Sequence, residues 1–369
     1  MAKLDNLIEQ AQQKPHSLAK DDLLYLLQLE DKGELDRLFK GAYALKSRYS
    51  GNSVYLRGLI EMGNVCAKDC FYCGIRKSNT KPKRYQLSLE EILNTARETF
   101  EKQYGSLVLQ SGEIESEKHT LFIAQAIEAI SSLTQGKLGL TLSLGEQEEN
   151  VYKLWREAGA HRYLLRIETS NPNLYAQLHP ASHSFSRRLE CLRTLRRLNY
   201  QTGSGVMIGL PGQTRQDLAD DILFFQNEDL DMIGMGPYIP HRDTPLGQNI
   251  EFTESFKQTQ LLMGLKMIAC TRLQLHDVNI AATTALQALH PQGREKGIKA
   301  GANVIMPNVT ETRFRADYQL YENKPCLDEN AQQCRNCLTM RLAAIGEKIS
   351  YGVPGDPLHY KNRNSGQAT

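Results

Sequence analysis

The sequence predicts an α/β fold: a (β/α)8 TIM-type barrel with an N-terminal helical extension and a C-terminal cysteine-containing segment. Three observations predict it. From Val54 onward, short β-rich runs alternate with longer amphipathic stretches, the pattern of βαβ units on a parallel sheet. The runs can be counted to eight, enough to close a barrel. The residues with evident chemistry follow these runs, on the loops where such barrels carry their reactive groups.

Residues 1–50 place Leu23, Leu24, Leu26 and Leu27, then Leu35, Leu38 and Phe39, at helical spacing behind Asp21 and Asp22. Two or three helices are expected there. In the barrel, 51–310, the expected strands are Val54 to Met62, Ser106 to Gln110, Leu138 to Leu144, His161 to Ile167, Thr202 to Ile208, Met232 to Tyr238, Asn279 to Thr284 and Ala302 to Met306. Helical patterns at Glu90 to Lys102, Thr120 to Ser131, Arg187 to Leu198 and Gln216 to Phe225 lie between them. The remainder, 311–369, is expected to close the barrel and to end in a disordered polar tail from Asn362 to Thr369.

The chain has 369 residues, 41% of them hydrophobic and 23% charged, with a net charge of +2. That balance signals no bulk attraction to nucleic acid or to acidic membranes. No stretch approaches the roughly 18–20 apolar residues of a membrane span, and the start lacks the apolar core of a secretion signal. A cytoplasmic protein is expected, and the clustered spacing among its eight cysteines reads as metal ligation and not as disulfides.

The first cluster is Cys66-Ala-Lys-Asp-Cys70-Phe-Tyr-Cys73, a C-x3-C-x2-C loop after the first strand. A 4Fe-4S cubane is usually held by four cysteines, and no fourth cysteine occurs before Cys191. One iron is left open to a ligand other than protein, and such a cluster is oxygen-labile. A zinc knuckle is the alternative, but zinc sites generally complete a closed tetrahedron from paired cysteine or histidine clusters. The spacing, Tyr72 before the last cysteine and Gly74 after it resemble the signature of radical S-adenosylmethionine (SAM) enzymes. In that superfamily the open iron chelates the amino and carboxylate groups of SAM.

After the second strand comes Gln110-Ser111-Gly112-Glu113, in the place of the superfamily's Gly-Gly-Glu segment, which contacts the SAM amino group. It departs by having Ser111 for the first glycine, so Gln110 and Ser111 are expected to share that work, and Glu113 supplies an acceptor. On strand four, Arg166 and Glu168 point to one face. Glu168 reads as directed to SAM and Arg166 to an anionic substrate, against a plain surface pair. Arg188 suits the SAM carboxylate, since guanidinium holds carboxylate bidentately, although Arg187 adjoins it. The glycine-rich run Gly203 to Gly212 lacks the ending of a nucleotide P-loop and reads as close packing against adenosine, with Met235 as flat apolar surface or as barrel filling. Thr141 and Ser143, Thr283 and Thr284, and Met306 line the expected mouth of the barrel, where the hydroxyls form a polar pocket for an anion or simply favour strand.

Cys326, Cys334 and Cys337 form a later C-x7-C-x2-C group, able to hold a second iron-sulfur cluster, 2Fe-2S or 4Fe-4S, or a zinc. Cys191 and Cys270 read as core thiols. Over residues 50–340 the chain resembles the HydE family of FeFe-hydrogenase maturases. The resemblance is carried by Asn64 to Arg76, Val108 to Glu113, Thr141 to Glu146, Arg162 to Thr169, Gly209 to Thr214 and Gly301 to Asn308. It includes the late cysteine spacing, a variable and apparently dispensable cluster site in that family.

The resemblance implies reductive cleavage of SAM to methionine and a 5′-deoxyadenosyl radical at Cys66, Cys70 and Cys73. It further implies attack on a cysteine-bound iron carbonyl/cyanide complex during assembly of the dinuclear iron subcluster. Implied partners are HydG-like and HydF-like maturases and an electron donor such as ferredoxin or flavodoxin. Tyr318 and Tyr321 match positions that approach the family's cavity, or else cover the barrel as packing. The rival readings are a methylornithine synthase or biotin synthase-like enzyme on the same barrel and, from another class, an iron-sulfur scaffold or electron carrier.

Overall fold

A computed structural model describes residues 2–328 and 331–366. Three helices, Ala2–Gln13, Lys20–Gln28 and Lys32–Ser50, precede the sheet. Asp31 accepts the Glu34 N–H at 2.9 Å and so caps the third. Leu23, Leu26, Leu27, Leu35, Leu38 and Leu45 are buried, and the helices pack on the long helix Glu254–Gln274.

Eight parallel strands follow: β1 (Ser53–Gly63), β2 (Ser106–Ser111), β3 (Gly139–Ser143), β4 (Arg162–Leu164), β5 (Gln201–Ser204), β6 (Met232–Ile233), β7 (Asn279–Ile280) and β8 (Val304–Ile305). Each pairs with its chain neighbour, as in Leu59 with Val108, Val108 with Thr141 and Gly203 with Met232. β8 returns to β1 through Tyr55 and Val304. A parallel bridge from Ala281 to Val304 joins β7 to β8, so the ring closes.

The later strands are shorter than the sequence predicts, for a physical reason. Strands five and six break at Gly205 and Gly234, whose backbones approach so closely that a Cβ on Gly205 would strike the Gly234 carbonyl. Beyond the break the chains pair again at Met207–Ile208 and Gly236–Pro237. Strand four stops at Leu164, strand seven gives way to a helix at Thr284, and the helices begin where Ser88, Ser116, Ser184 and Thr214 accept a backbone N–H as N-caps.

Alternation decides what faces the barrel interior. Arg57, Ser106, Arg162 and Gln201 belong to a bottom layer, Leu59, Val108, Thr141 and Leu164 to a middle one, and Glu61, Gln110, Ser143 and Arg166 to the layer nearest the mouth. A small cavity of about 20 Å³ lies between bottom and middle, lined by Arg57, Leu164, Met232, Gly234, Ala281 and Met306 among others.

The tail departs from its expected disorder. Lys348–Ile349 adds to the edge of β1, and the backbone beyond it plugs the lower end of the barrel. Asp356 there accepts from Arg162 and from Gln201, and Gly355 O accepts from Asn279 at 2.8 Å. The helix Leu358–Asn364 is held by Arg363 on Asp231 at 2.8 Å and by His359 between Asp229 and Asp277. Residues 367–369 of the expected disordered tail lie outside the described residues.

Candidate active site

The cysteine loop leaves β1 at the mouth and is pinned by backbone contacts from every side. Gly112 N–H donates to Gly63 O at 3.0 Å, Ala67 N–H to Glu113 O at 2.8 Å, Phe71 N–H to Leu178 O at 2.9 Å and Gly74 N–H to Leu320 O at 2.9 Å. Gly112 must be glycine here, because a Cβ would overlap the Val65 carbonyl. Arg84 gathers the carbonyls of Ile75, Arg76 and Asn79 at 2.6–2.8 Å and thereby shapes the return of the loop.

Desolvation raises the thiol pKa at Cys66 and Cys73 and pushes Cys70 up to about 12. Thiolates therefore need a positive centre among them. Three thiolates on one tetrahedral zinc stand about 3.8 Å apart, given a Zn–S bond near 2.3 Å. Among the described residues the three sulfurs are not all within 4.8 Å of one another, wider than three ligands of one zinc. The donors match as well: Glu113 N–H points at Cys66 Sγ at 3.4 Å, and backbone N–H groups of Lys68 and Ile75 stabilise the Cys66 and Cys73 thiolates. The residues present fit a three-cysteine 4Fe-4S cluster.

A charge cluster that sequence reasoning missed supports the loop. Lys68 Nζ lies 3.0 Å from Glu113 Oε1 and 3.1 Å from Glu146 Oε2, while Arg188 Nε lies 2.7 Å from Glu146 Oε1 and Arg188 Nη2 3.8 Å from Glu113 Oε2. Two acids face two bases, nearly dry. Burial outweighs the cations at Glu113 and raises its pKa, whereas at Glu146 the combined pull of Arg188 and Lys68 prevails and lowers it. Glu113 and Arg188, expected on SAM, thus hold one another and the cysteine loop in this structure. Arg187 turns outward to Glu148.

Glu168 follows β4 with φ of +67°, a left-handed conformation uncommon for a residue with a side chain. Its backbone is fixed by the Gly205 carbonyl and the Met207 N–H, both at 3.0 Å. Its carboxylate meets Arg166 at 2.9 Å and is near enough to Tyr72 and Cys73 to raise their pKa values. Arg166 and Glu168 form an ion pair at the mouth, beside the cysteine loop.

Asp221 supports this turn from behind, accepting Ser170 N–H at 2.7 Å. Desolvation, reinforced by Asp217 and Asp220, raises its pKa to about 7. The unfolded carboxyl ionises near pH 4, so the contribution of Asp221 to stability is full below that pH and is lost as pH rises from about 4 to about 7. Asp221→Asn is expected to flatten that decline, gaining on the order of 3 kcal/mol relative to wild type by pH 8. Urea unfolding at pH 5 and pH 8 checks it, and an equal difference at both pH values contradicts it.

The chain matches the Radical SAM superfamily model over residues 60–225. It is 44% identical over 323 residues to the [FeFe] hydrogenase maturase subunit HydE of Thermotoga maritima, covering 87% of this chain and 89% of that one. The chain belongs to the HydE family of radical SAM enzymes. A 3-methylornithine synthase of Methanosarcina acetivorans is 28% identical over 306 residues, covering 82% of this chain and 83% of its own length. Among solved structures, methylornithine synthase aligns with a TM-score of 0.79 at 24% identity over 95% of this chain and 98% of its own. HydG from Carboxydothermus hydrogenoformans aligns at 0.78 and 18% over 95% of this chain and 80% of its own. These two likenesses bear on the fold.

The radical SAM family uses a 4Fe-4S cluster and SAM, and this HydE-family site places the remaining candidates unequally. Gln110 donates to the hydroxyl of Tyr318 at 3.1 Å, and Ser111 Oγ bonds Gly112 O at 2.7 Å. The buried Thr141 and Thr283 hydroxyls have no hydrogen-bond partner among the described residues, whereas Thr284 accepts from Arg294 at 2.8 Å and Ser143 is half-buried. Tyr321 is near Arg294 and Arg166. Met235 needs correcting: it is buried in the main core and accepts from Thr271 of the outer helix at 3.8 Å, because alternation turns Gly234 and Gly236 inward instead.

Glu61, Asn308 and Lys324 were also missed. The Glu61 carboxylate accepts from Asn308 and from Lys324, which reaches down over the Tyr318 ring. Of the late cysteines, Cys326 lies against Gln287 at 3.7 Å near the mouth and Cys334 is buried. Among the described residues the three late cysteines are not gathered within 4.8 Å. No described helix is long and apolar enough to cross a membrane.

Proposed function

We propose that this HydE-family enzyme acts in assembling the dinuclear iron subcluster of FeFe-hydrogenase, on a cysteine-bound iron carbonyl/cyanide complex. The observation that carries this reading is the 44% identity to the Thermotoga maritima maturase along 87% of the chain. Unpaired polar atoms support it. The Thr141 and Thr283 hydroxyls, Gln287 Oε1 and Arg294 Nε are buried without a hydrogen-bond partner among the described residues. Unpaired buried polar atoms are costly, and an anionic complex rich in acceptors would satisfy the donors among them.

With its cluster and SAM bound, the site supplies one-electron cleavage of the sulfonium to a carbon radical. The chain's own residues do the rest. Cys66, Cys70 and Cys73 hold the cluster, and Glu168 with the Gln110–Ser111 segment receives the polar end of SAM. Arg166 presents its guanidinium to the anionic substrate. The closed ring excludes water and mobile C–H groups from a radical that would attack them. HydG-like and HydF-like maturases and an external reductant, ferredoxin or flavodoxin, complete the system. The test is activation of apo-hydrogenase in an extract that has those maturases and lacks HydE. Adding the reconstituted chain is expected to restore hydrogen evolution. If it restores none while cleaving SAM, the substrate assignment is wrong and a methylornithine synthase-like or biotin synthase-like reaction is favoured.

A further inference from the structure

Cys70 stands apart from the other two cluster cysteines in the origin of its donors. Backbone N–H groups serve Cys66 and Cys73. At Cys70 side chains are in place: the Tyr72 hydroxyl is within hydrogen-bonding reach, and His183 Nδ1 is 4.0 Å from Sγ. The other ring nitrogen, Nε2, faces the Asp69 N–H at 3.5 Å and accepts from it, so the ring proton sits on Nδ1, toward the sulfur. A turn fixes the ring's backbone, with His183 N–H on Pro180 O at 2.9 Å, immediately before the Ser184 cap of helix Phe185–Arg197.

The neighbouring His179 does not compete for that role. Its Nδ1–H donates to Tyr175 O at 2.9 Å, leaving Nε2 to accept from the Tyr72 hydroxyl at 3.3 Å. Stacked on Tyr175 at 4.0 Å and edge-on to Tyr72, it is a spacer that holds the His183 side of the loop. The ligand atoms of Cys70, His179 and His183 fall within 4.8 Å of one another. The tautomers set by Asp69 and Tyr175 make that group one of donors and spacers and not a second metal site.

We propose that His183 is a positioning residue whose Nδ1–H···Sγ hydrogen bond to Cys70 raises the reduction potential of the cluster. A donor on a ligating sulfur draws off charge, and the reduced cluster, being the more negative form, gains more from it. The proposal rests on Cys70 as a cluster ligand.

The test is an EPR-monitored redox titration of the anaerobically reconstituted protein as wild type, His183→Leu and His183→Asn. Leucine fills the space without a donor, whereas the asparagine amide places an N–H near the position of Nδ1. In His183→Leu the ratio of reduced to oxidised cluster at a fixed solution potential is expected to fall about tenfold, a 59 mV shift for one electron. His183→Asn is expected to recover most of it. A midpoint in His183→Leu equal to that of wild type, with full iron and sulfide content, overturns the proposal. A second measurement does not depend on the variants. Pulsed EPR of reduced wild type carrying 15N-histidine is expected to show one exchangeable, nitrogen-coupled proton at the cluster, and its absence overturns the proposal. If Cys70 is no ligand at all, Cys70→Ala keeps full iron and sulfide with the wild-type signal and midpoint, which separates that failure from a cluster held by Cys70 but indifferent to residue 183.

Discussion

Cys70→Ala is expected to form no 5′-deoxyadenosine above background when reconstituted, reduced and given SAM, while its fold survives. The fold survives because Cys70 contributes little to the core. The packing that defines the barrel is in Leu107, Leu109, Leu140, Leu142, Ile167 and their neighbours, and the loop keeps its main-chain contacts to Leu178 and Leu320. The chemistry does not survive, because three thiolates already leave one iron open and two leave a second iron without a protein ligand. Loss is therefore near complete and not graded. Circular dichroism checks the fold, iron and sulfide analysis the cluster, and chromatography of the nucleoside the reaction. A variant with bound cluster and wild-type product formation would remove Cys70 from the ligand set.

Arg188→Met is expected to have the largest effect on stability. Arg188 is 9% exposed and stands between Glu146 and Glu113, which are 3% and 6% exposed. Without it a single ammonium, Lys68, faces two buried carboxylates. Removing one partner of a buried ionic network costs about 3–5 kcal/mol, because the remaining charge is stranded. The same loss reaches the cluster, since Glu113 N–H donates to Cys66 Sγ and Glu113 O accepts from Ala67. Both urea stability and iron content are expected to fall. Arg188→Met combined with Glu146→Leu leaves Lys68 paired with Glu113 and is expected to recover most of the stability. A single variant as stable as wild type would mean that solvent already reaches the network.

The barrel was legible in sequence because parallel strands buried on both faces leave near-continuous apolar runs, and the cysteine loop because its spacing is local. Features that depend on distant partners were not legible. Lys68 sits in plain view inside the loop, yet its role depends on Glu113 and Glu146, brought to it by two other strands. The end of the helix Leu358–Asn364, from Asn362 on, reads as disordered tail in sequence, and the acids that hold the helix lie 82 to 132 residues earlier in the chain. Met235, read as apolar surface for SAM or as barrel filling, faces the outer helix instead, because the glycines on either side take the inward positions. His183 looks like turn punctuation until the fold sets it beside Cys70.

SAM cleavage at the open iron left by a three-cysteine ligand set is the central expectation. The direct measurement is anaerobic single turnover of the reconstituted, dithionite-reduced wild type with SAM, counting both products. The expected result is methionine and 5′-deoxyadenosine in equal amounts, with neither formed when the cluster is left oxidised. A fully loaded and reduced cluster that leaves SAM intact would contradict it and leave an iron-sulfur carrier in its place.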